Sequence, residues 1–300
     1  MKYPRIEGFV AAIFTPFQAD GSLDLEGVEG MAEHLENNGV RAAFIGGTTG
    51  ESSSLTLEER LGLTKKWSEV VRGTKLGLMV HVGSNCLADS RTLAVQAQEL
   101  GAMAISAVAP SYFKPQALSD LIDCSASIAA AAPGLPFYHY DIPMLTGVNH
   151  SMAAFLEQAP AKIPNLAGIK YSNPDLVTLQ ECLAQSDFDV LWGMDEALLA
   201  AMALGVRGAV GSTYNFIAPI FHKLVACFEK GDLVAARAEQ IKAVKFVRAL
   251  SRRGYFASAK VLLDLMELKG GDPRLPHKSL SPTEKAELVV EIRAMGVLKI

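Results

Sequence analysis

A lysine lies inside one of the most apolar runs of the chain. The stretch "LAGIKYSNPD" is typical of a short buried strand through Lys170 and of a turn from Ser172 onward. Strand side chains alternate between two faces, so Lys170 and Ser172 share one face. Partial desolvation lowers the pKa of a lysine, and its neutral amine attacks carbonyls to form a Schiff base that accepts electrons. The alternative is an ion pair with Asp141, Asp195 or Glu196, and position alone leaves both interpretations open.

A tyrosine and a hydroxyl-rich loop offer matching chemistry. In "FYHYD", Tyr140 shares a strand face with Tyr138, and a phenol beside an imine can transfer protons, although a hydrogen-bonded phenol lining a barrel would look the same. His139 points to the opposite face and is predicted to be structural. The loop "GGTTGES" places Thr48 and Thr49 among N–H and O–H donors that suit a carboxylate, although such hydroxyls are often only turn residues.

Polar residues also follow two later apolar runs. Asp195 and Glu196 in "GMDE", with Ser212 in "GSTYN", supply the acceptors and the hydroxyl that a polyhydroxylated ligand needs. The two acidic residues also stand where a helix should begin, and acidic residues stabilise a helix start. Both roles are compatible.

Composition and motif content exclude several classes of function. A net charge of −4 gives no electrostatic footprint for nucleic acid. The six histidines are dispersed and no G-x-G-x-x-G follows a strand, so neither a metal nor a dinucleotide is predicted. No apolar stretch is long enough to span a membrane, and the first residues lack signal-peptide features, which together predict a cytoplasmic protein. The four cysteines have no C-x-x-C pair and are predicted to be reduced and mostly in the core.

The elements that must position these residues alternate between strands and helices. Eight runs are too apolar for strands of a sheet that has one face in water, so they are predicted to be parallel strands covered by helices. They span residues 9–17, 41–47, 77–83, 104–110, 136–143, 166–172, 189–194 and 208–215. Eight such alternations favour a closed (β/α)₈ TIM barrel over an open doubly wound sheet. The predicted domains are a barrel over residues 1–230 and a C-terminal helical extension over residues 231–300. Helices are predicted at 218–230, 232–252, 257–268 and 281–296.

Five ordered motifs resemble a known superfamily. With "GGTTGES", "YHYDIPMLTG", "GIKYSNPD", "GMDE" and "GAVGSTYN" in this order, about residues 8–260 resemble the N-acetylneuraminate lyase and dihydrodipicolinate synthase superfamily of pyruvate-binding class I aldolases. The resemblance implies a homotetrameric barrel in which Lys170 forms a Schiff base with pyruvate and Tyr140 transfers protons. Thr48 and Thr49 would bind the pyruvate carboxylate. The resemblance implies no metal or organic cofactor.

The same resemblance separates two branches of the superfamily. The synthases carry an arginine before the threonine-glycine pair that follows strand 5, whereas this chain has Leu145. The "GMDE" and "GSTYN" segments also resemble the lyase branch, and Leu145 and "GMDE" together favour it. This implies cleavage of the sialic acid N-acetylneuraminate; a sugar-acid aldolase, a synthase-like enzyme and a non-catalytic keto-acid binder are the alternatives. Residues expected to contact the sugar-derived hydroxyls are Gly193, Asp195, Glu196 and Ser212, with Ser172 as a further ligand contact.

Overall fold

Eight parallel strands close into a barrel. The computed structural model describes residues 2–298. The strands are β1 (Gly8–Ala12), β2 (Ala42–Ile45), β3 (Gly77–His81), β4 (Ala104–Val108), β5 (Phe137–Asp141), β6 (Leu166–Tyr171), β7 (Asp189–Trp192) and β8 (Gly208–Gly211). Each pairs with its neighbour in chain order, and β8 pairs with β1. The predicted barrel is confirmed, and the open sheet is excluded.

Helices follow the strands and continue beyond the barrel. They are α1 (Gly27–Asn37), α2 (Leu57–Val71), α3 (Leu87–Glu99), α4 (Leu118–Ala129), α5 (Pro143–Thr146), α6 (Met152–Gln158), α7 (Leu176–Ala184), α8 (Leu198–Ala203), α9 (Tyr214–Glu229), α10 (Leu233–Ser251), α11 (Tyr255–Leu265) and α12 (Pro282–Met295). Thr56 and Glu59 form a capping box at the start of α2. Within residues 2–298, no helix has the length and apolar character needed to span a membrane.

Two apolar layers surround the sheet. The larger lies between strands and helices, includes Trp67 of α2, and continues into the extension through Phe246 of α10 and Leu288 of α12. The smaller fills the barrel interior and contains both Tyr138 and Tyr140. The extension therefore shares the main core of the barrel. The predicted domain boundary at residue 230 falls in the turn between α9 and α10.

The region after β8 differs from the prediction. The strand ends at Gly211, and α9 begins at Tyr214 rather than at 218. Pro219 lies inside α9, next to a kink at Ile217. The earlier start is supported by Asp195, whose carboxylate accepts a hydrogen bond from the backbone N–H of Thr213 at the N-terminus of α9.

The predictions for the cysteines were only partly correct. All four are free, as expected. Only Cys182 is buried, however, and Cys86 is exposed, so the prediction that most lie in the core is wrong.

Candidate active site

Lys170 and Tyr140 lie side by side at the carboxyl end of the barrel. They are partners in the register between β6 and β5, so their side chains enter the barrel together. Lys170 is only 3% exposed. Its Nζ lies 3.5 Å from the centre of the Tyr140 ring and 4.6 Å from that of Phe44. The amine is therefore enclosed by aromatic faces rather than by water.

Of the three carboxylates proposed as ion-pair partners of Lys170, two bind other groups and the third is exposed. Asp141 accepts a hydrogen bond from Asn173 Nδ2, Asp195 accepts two from Thr213, and Glu196 is exposed. Asp195 still favours the ammonium form of Lys170 electrostatically, but more weakly than Tyr140 does. Burial is the strongest influence and lowers the pKa of the Lys170 amine. The predicted direction of this pKa shift is confirmed.

The Tyr140 phenol faces both the amine and the threonine loop. Its hydroxyl lies 3.4 Å from Thr48 Oγ1, in a hydrogen bond that either group can donate. Burial raises the pKa of the phenol, but the Lys170 charge, together with the nearby polar groups of Thr48 and Ser172, outweighs burial, so that the pKa falls below its ordinary value. A phenol that ionises more easily beside a lysine is suited to accept a proton. Thr49, the next residue of the loop, is half-buried.

His81 packs beside Tyr140 at this end of the barrel, a position that was not predicted from the sequence. Its ring packs edge-on to Tyr140, with 5.9 Å between ring centres. Nδ1 binds the Gly46 carbonyl oxygen at 2.7 Å, and Nε2 accepts from the Val108 N–H at 3.3 Å, so both ring nitrogens are used. Burial, aided by the charge of Arg60, lowers the pKa of His81 to about 3. The ring is therefore neutral, and it ties the threonine loop to β3 and β4. Its inward position on β3 was the available sequence signal.

Gly193 and Ser172 meet at the ends of β7 and β6. A Cβ atom on Gly193 would lie 1.8 Å from Ser172 Oγ, so only glycine allows this approach. Ser172 is buried, and its hydroxyl lies close enough to Tyr140 to help lower the pKa of the phenol. The predicted pairing of Ser172 with Lys170 on one face therefore also brings Ser172 to Tyr140.

Asp195 is buried against β8. It accepts hydrogen bonds from the backbone N–H of Thr213 at 2.9 Å and from its hydroxyl at 2.6 Å. A Cβ on Gly211 would lie 1.5 Å from Asp195 Oδ1, which explains the glycine there. Burial raises the pKa of Asp195, and the two bonds from Thr213 oppose the shift. The carboxylate therefore stabilises the start of α9, not that of the helix following Asp195 itself.

Ser212 and Glu196 have different surroundings. The Ser212 hydroxyl shares a 2.7 Å hydrogen bond with the phenol of Tyr255, which α11 brings to the barrel mouth from the C-terminal extension. Sequence reasoning missed Tyr255 because no local pattern links it to β8. Glu196 lies on an exposed groove that it shares with Leu233 and Arg237 of α10. The structure thus brings together Lys170, Tyr140, Thr48 and Ser172 most closely, and leaves Glu196 at the periphery.

The arrangement offers amine chemistry. A desolvated lysine, an adjacent acidified phenol and hydroxyl donors can bind a keto acid and hold an imine. Within residues 2–298, no group of three or more His, Cys, Asp or Glu side chains is placed to hold a metal ion.

Comparison with known proteins places the chain among others with this architecture. The family model described as "Dihydrodipicolinate synthetase family" matches residues 5–295. N-acetylneuraminate lyase A of Xenopus laevis is 38% identical over 277 residues, which cover 91% of this chain and 90% of that protein. Two solved structures superpose with a TM-score of 0.95: the N-acetylneuraminate lyases of Aliivibrio salmonicida (39% identical, 99% of each chain) and Proteus mirabilis (35% identical, 98% of this chain and 100% of that one). The chain belongs to the dihydrodipicolinate synthetase family.

Proposed function

We propose that the protein is an N-acetylneuraminate lyase, a Schiff-base aldolase that cleaves N-acetylneuraminate to pyruvate and N-acetylmannosamine. One observation carries the proposal: the buried Lys170 amine lies 3.5 Å from the ring centre of Tyr140, at the mouth of a barrel that is typical of the family. The names of relatives that are 35–39% identical over nearly the whole chain support the same substrate.

The residue at position 145 supports the lyase branch. Leu145, on the short helix α5 that follows β5, is 63% exposed. A leucine offers no charge to a second carboxylate, which the arginine of the synthases would hold at this position. A leucine at this position is compatible with a sugar-derived aldehyde that carries no second carboxylate.

The first half of the reaction forms the imine. The neutral Lys170 amine attacks the keto carbon C2 of open-chain N-acetylneuraminate, and the C2 oxygen leaves as water with a proton supplied by solvent, which gives an iminium ion. The positive charge beside it promotes loss of the Tyr140 phenol proton to solvent, which leaves the phenolate. Hydroxyl and backbone donors around Thr48 and Thr49 hold the substrate carboxylate. The aromatic faces of Tyr140 and Phe44 surround the amine, and the low-dielectric site favours its neutral, nucleophilic form.

The second half breaks the carbon–carbon bond. The Tyr140 phenolate accepts the proton of the C4 hydroxyl while the C3–C4 bond breaks, and the electron pair of that bond moves into the iminium to give an enamine. The C4 oxygen becomes the aldehyde of N-acetylmannosamine. A proton then returns to C3, and water hydrolyses the imine to release pyruvate and the Lys170 amine. Because the imine accepts the electrons, we propose that no metal or organic cofactor takes part.

A substrate assay tests this proposal. With N-acetylneuraminate as substrate and EDTA present, we expect equimolar pyruvate and N-acetylmannosamine, and pyruvate plus N-acetylmannosamine should give the reverse condensation. A non-aminated 2-keto-3-deoxy sugar acid serves as the comparison substrate. Cleavage of that sugar acid without cleavage of N-acetylneuraminate would contradict the substrate assignment while leaving the Schiff-base chemistry in place.

We also propose a homotetramer in the cytoplasm. Tyr112 and Phe113, which follow β4, are 78% and 85% exposed, an unusual position for adjacent aromatic side chains. Light scattering should give a mass near four times the 32.1 kDa of the chain. Substitution of both residues by serine should shift the protein to smaller species, and a wild-type mass equal to one chain would contradict the proposal. Cell fractionation tests the location.

A further inference from the structure

The loop that carries Thr48 and Thr49 has an unusual backbone. It turns back at Glu51, whose N–H donates to the Thr48 carbonyl oxygen at 2.9 Å. Glu51 has φ = 54°, in the left-handed region that residues other than glycine rarely adopt. Such a conformation persists only where the surroundings hold it in place. The position of the two threonines therefore depends on what binds Glu51.

Glu51 is held by the C-terminal extension. Its side chain is buried, and Oε2 accepts from the backbone N–H of Arg274 at 2.9 Å. Oε1 lies 3.5 Å from the Nζ of Lys260, on helix α11. The guanidinium of Arg274 adds a second tie, because Nη1 donates to the Ser54 carbonyl oxygen at 2.8 Å.

Lys260 connects three parts of the chain. It is 1% exposed, and its Nζ donates to the carbonyl oxygens of Thr15 at 2.7 Å and Gly270 at 3.0 Å. Nζ also lies 4.2 Å from the centre of the Phe17 ring. The end of β1, the loop after β2 and the extension thus meet at one buried ammonium group. A buried charge is retained only where oxygen partners surround it, so these segments are fixed relative to one another.

Thr15 provides a separate link to the same loop. Its hydroxyl donates to the Gly50 carbonyl oxygen at 2.7 Å, immediately before Glu51. This link is neutral, and removal of the Thr15 hydroxyl leaves no buried charge unpaired. It therefore allows the loop to be perturbed without the larger cost of removing a charged partner.

We propose that Lys260 and Glu51 form a positioning element that sets Thr48 and Thr49 for the carboxylate of the keto-acid substrate. The inference rests on the proposed function and assigns the C-terminal extension a part in assembling the site. Neither Lys260 nor Glu51 touches the reacting atoms. Their effect passes through the backbone of the loop, so it should appear in the affinity for the carboxylate more than in the rate of bond cleavage.

Labelling of Lys170 tests the proposal. The readouts are the pyruvate concentration that gives half-maximal borohydride-reduced adduct at Lys170, and the KM and kcat for N-acetylneuraminate. For Lys260→Met we expect about a tenfold higher half-labelling concentration and KM, with kcat changed less than about threefold, because a displaced binding loop costs mainly substrate positioning. Thr15→Val should raise the half-labelling concentration and KM about threefold, because the net free energy of one lost hydrogen bond corresponds to a change of about that size.

The control is Leu288→Ala, which weakens the packing of the extension through a fully buried side chain of α12. We expect it to lower the unfolding midpoint and to leave the half-labelling concentration unchanged. The proposal would be overturned if Lys260→Met had the same half-labelling pyruvate concentration as the wild type. If Lys260→Met does not fold, Glu51→Gln decides, because it removes the charge that Lys260 faces and keeps the shape of the side chain; an unchanged half-labelling concentration in that variant overturns the proposal. Absence of any adduct in the wild type would instead refute the proposed function.

Discussion

Replacement of Lys170 by methionine is expected to abolish turnover. Methionine fills a similar space without an amine, so no imine can form, and we expect kcat/KM to fall by at least about 10⁴-fold. Borohydride with pyruvate should label the wild type at Lys170 and leave the variant unlabelled, as read by peptide mass spectrometry. Because the wild-type amine is buried at 3% exposure, its removal should also increase the free energy of unfolding, by about 1 kcal/mol or more.

Lys162→Met is the matched control for this experiment. Lys162 is exposed on the surface and pairs with Asp123, so its loss should leave activity and labelling unchanged. Turnover by Lys170→Met within tenfold of the wild type would refute the mechanism. Lost activity together with a marked fall in unfolding midpoint would show a structural rather than a chemical role for the amine.

Tyr140→Phe is expected to separate imine formation from bond cleavage. The variant keeps the ring face over Lys170 and loses only the hydroxyl, so pyruvate should still label Lys170. Loss of the group that accepts the C4 proton should lower kcat by about 10²–10³-fold. Single-turnover measurements with N-acetylneuraminate should show imine formation followed by slow cleavage.

Tyr138→Phe is the control for Tyr140. Tyr138 faces the same interior two residues earlier, and its hydroxyl donates to Asp189 at 3.1 Å. Its removal should reduce stability because Asp189 loses a partner in a buried site, while kcat should remain near that of the wild type. A Tyr140→Phe variant with wild-type kcat would exclude the phenol as the proton acceptor.

The sequence predicted that Lys170 and Tyr140 both enter the barrel at its carboxyl end, because that placement depends on local rules. Their joint role was implied by the resemblance to the superfamily. Strand alternation fixes which side chains enter a barrel, and the carboxyl ends of its strands meet on one face. That the two residues lie directly opposite each other was not predictable, because the β5–β6 register contains a shift between Phe137 and Tyr138.

Contacts between distant segments were beyond local patterns. Tyr255 reaches Ser212 only through the packing of α11 on the barrel, and Lys260 meets Glu51 in the same way. The role of Asp195 was missed for a related reason, because its partner Thr213 lies on the next strand–helix connection. The roles assigned to individual site residues stay predictions until the variants are measured.

The closing of β8 onto β1 also has a consequence for the chain during its synthesis. Until β7 and β8 have joined the sheet, the barrel is open beside β6 and water surrounds the Lys170 amine. A solvated lysine keeps its ordinary pKa near 10.4 and is almost wholly protonated at neutral pH. An incomplete chain is therefore much less reactive toward keto acids than the folded protein, in which the completed barrel removes water from the amine.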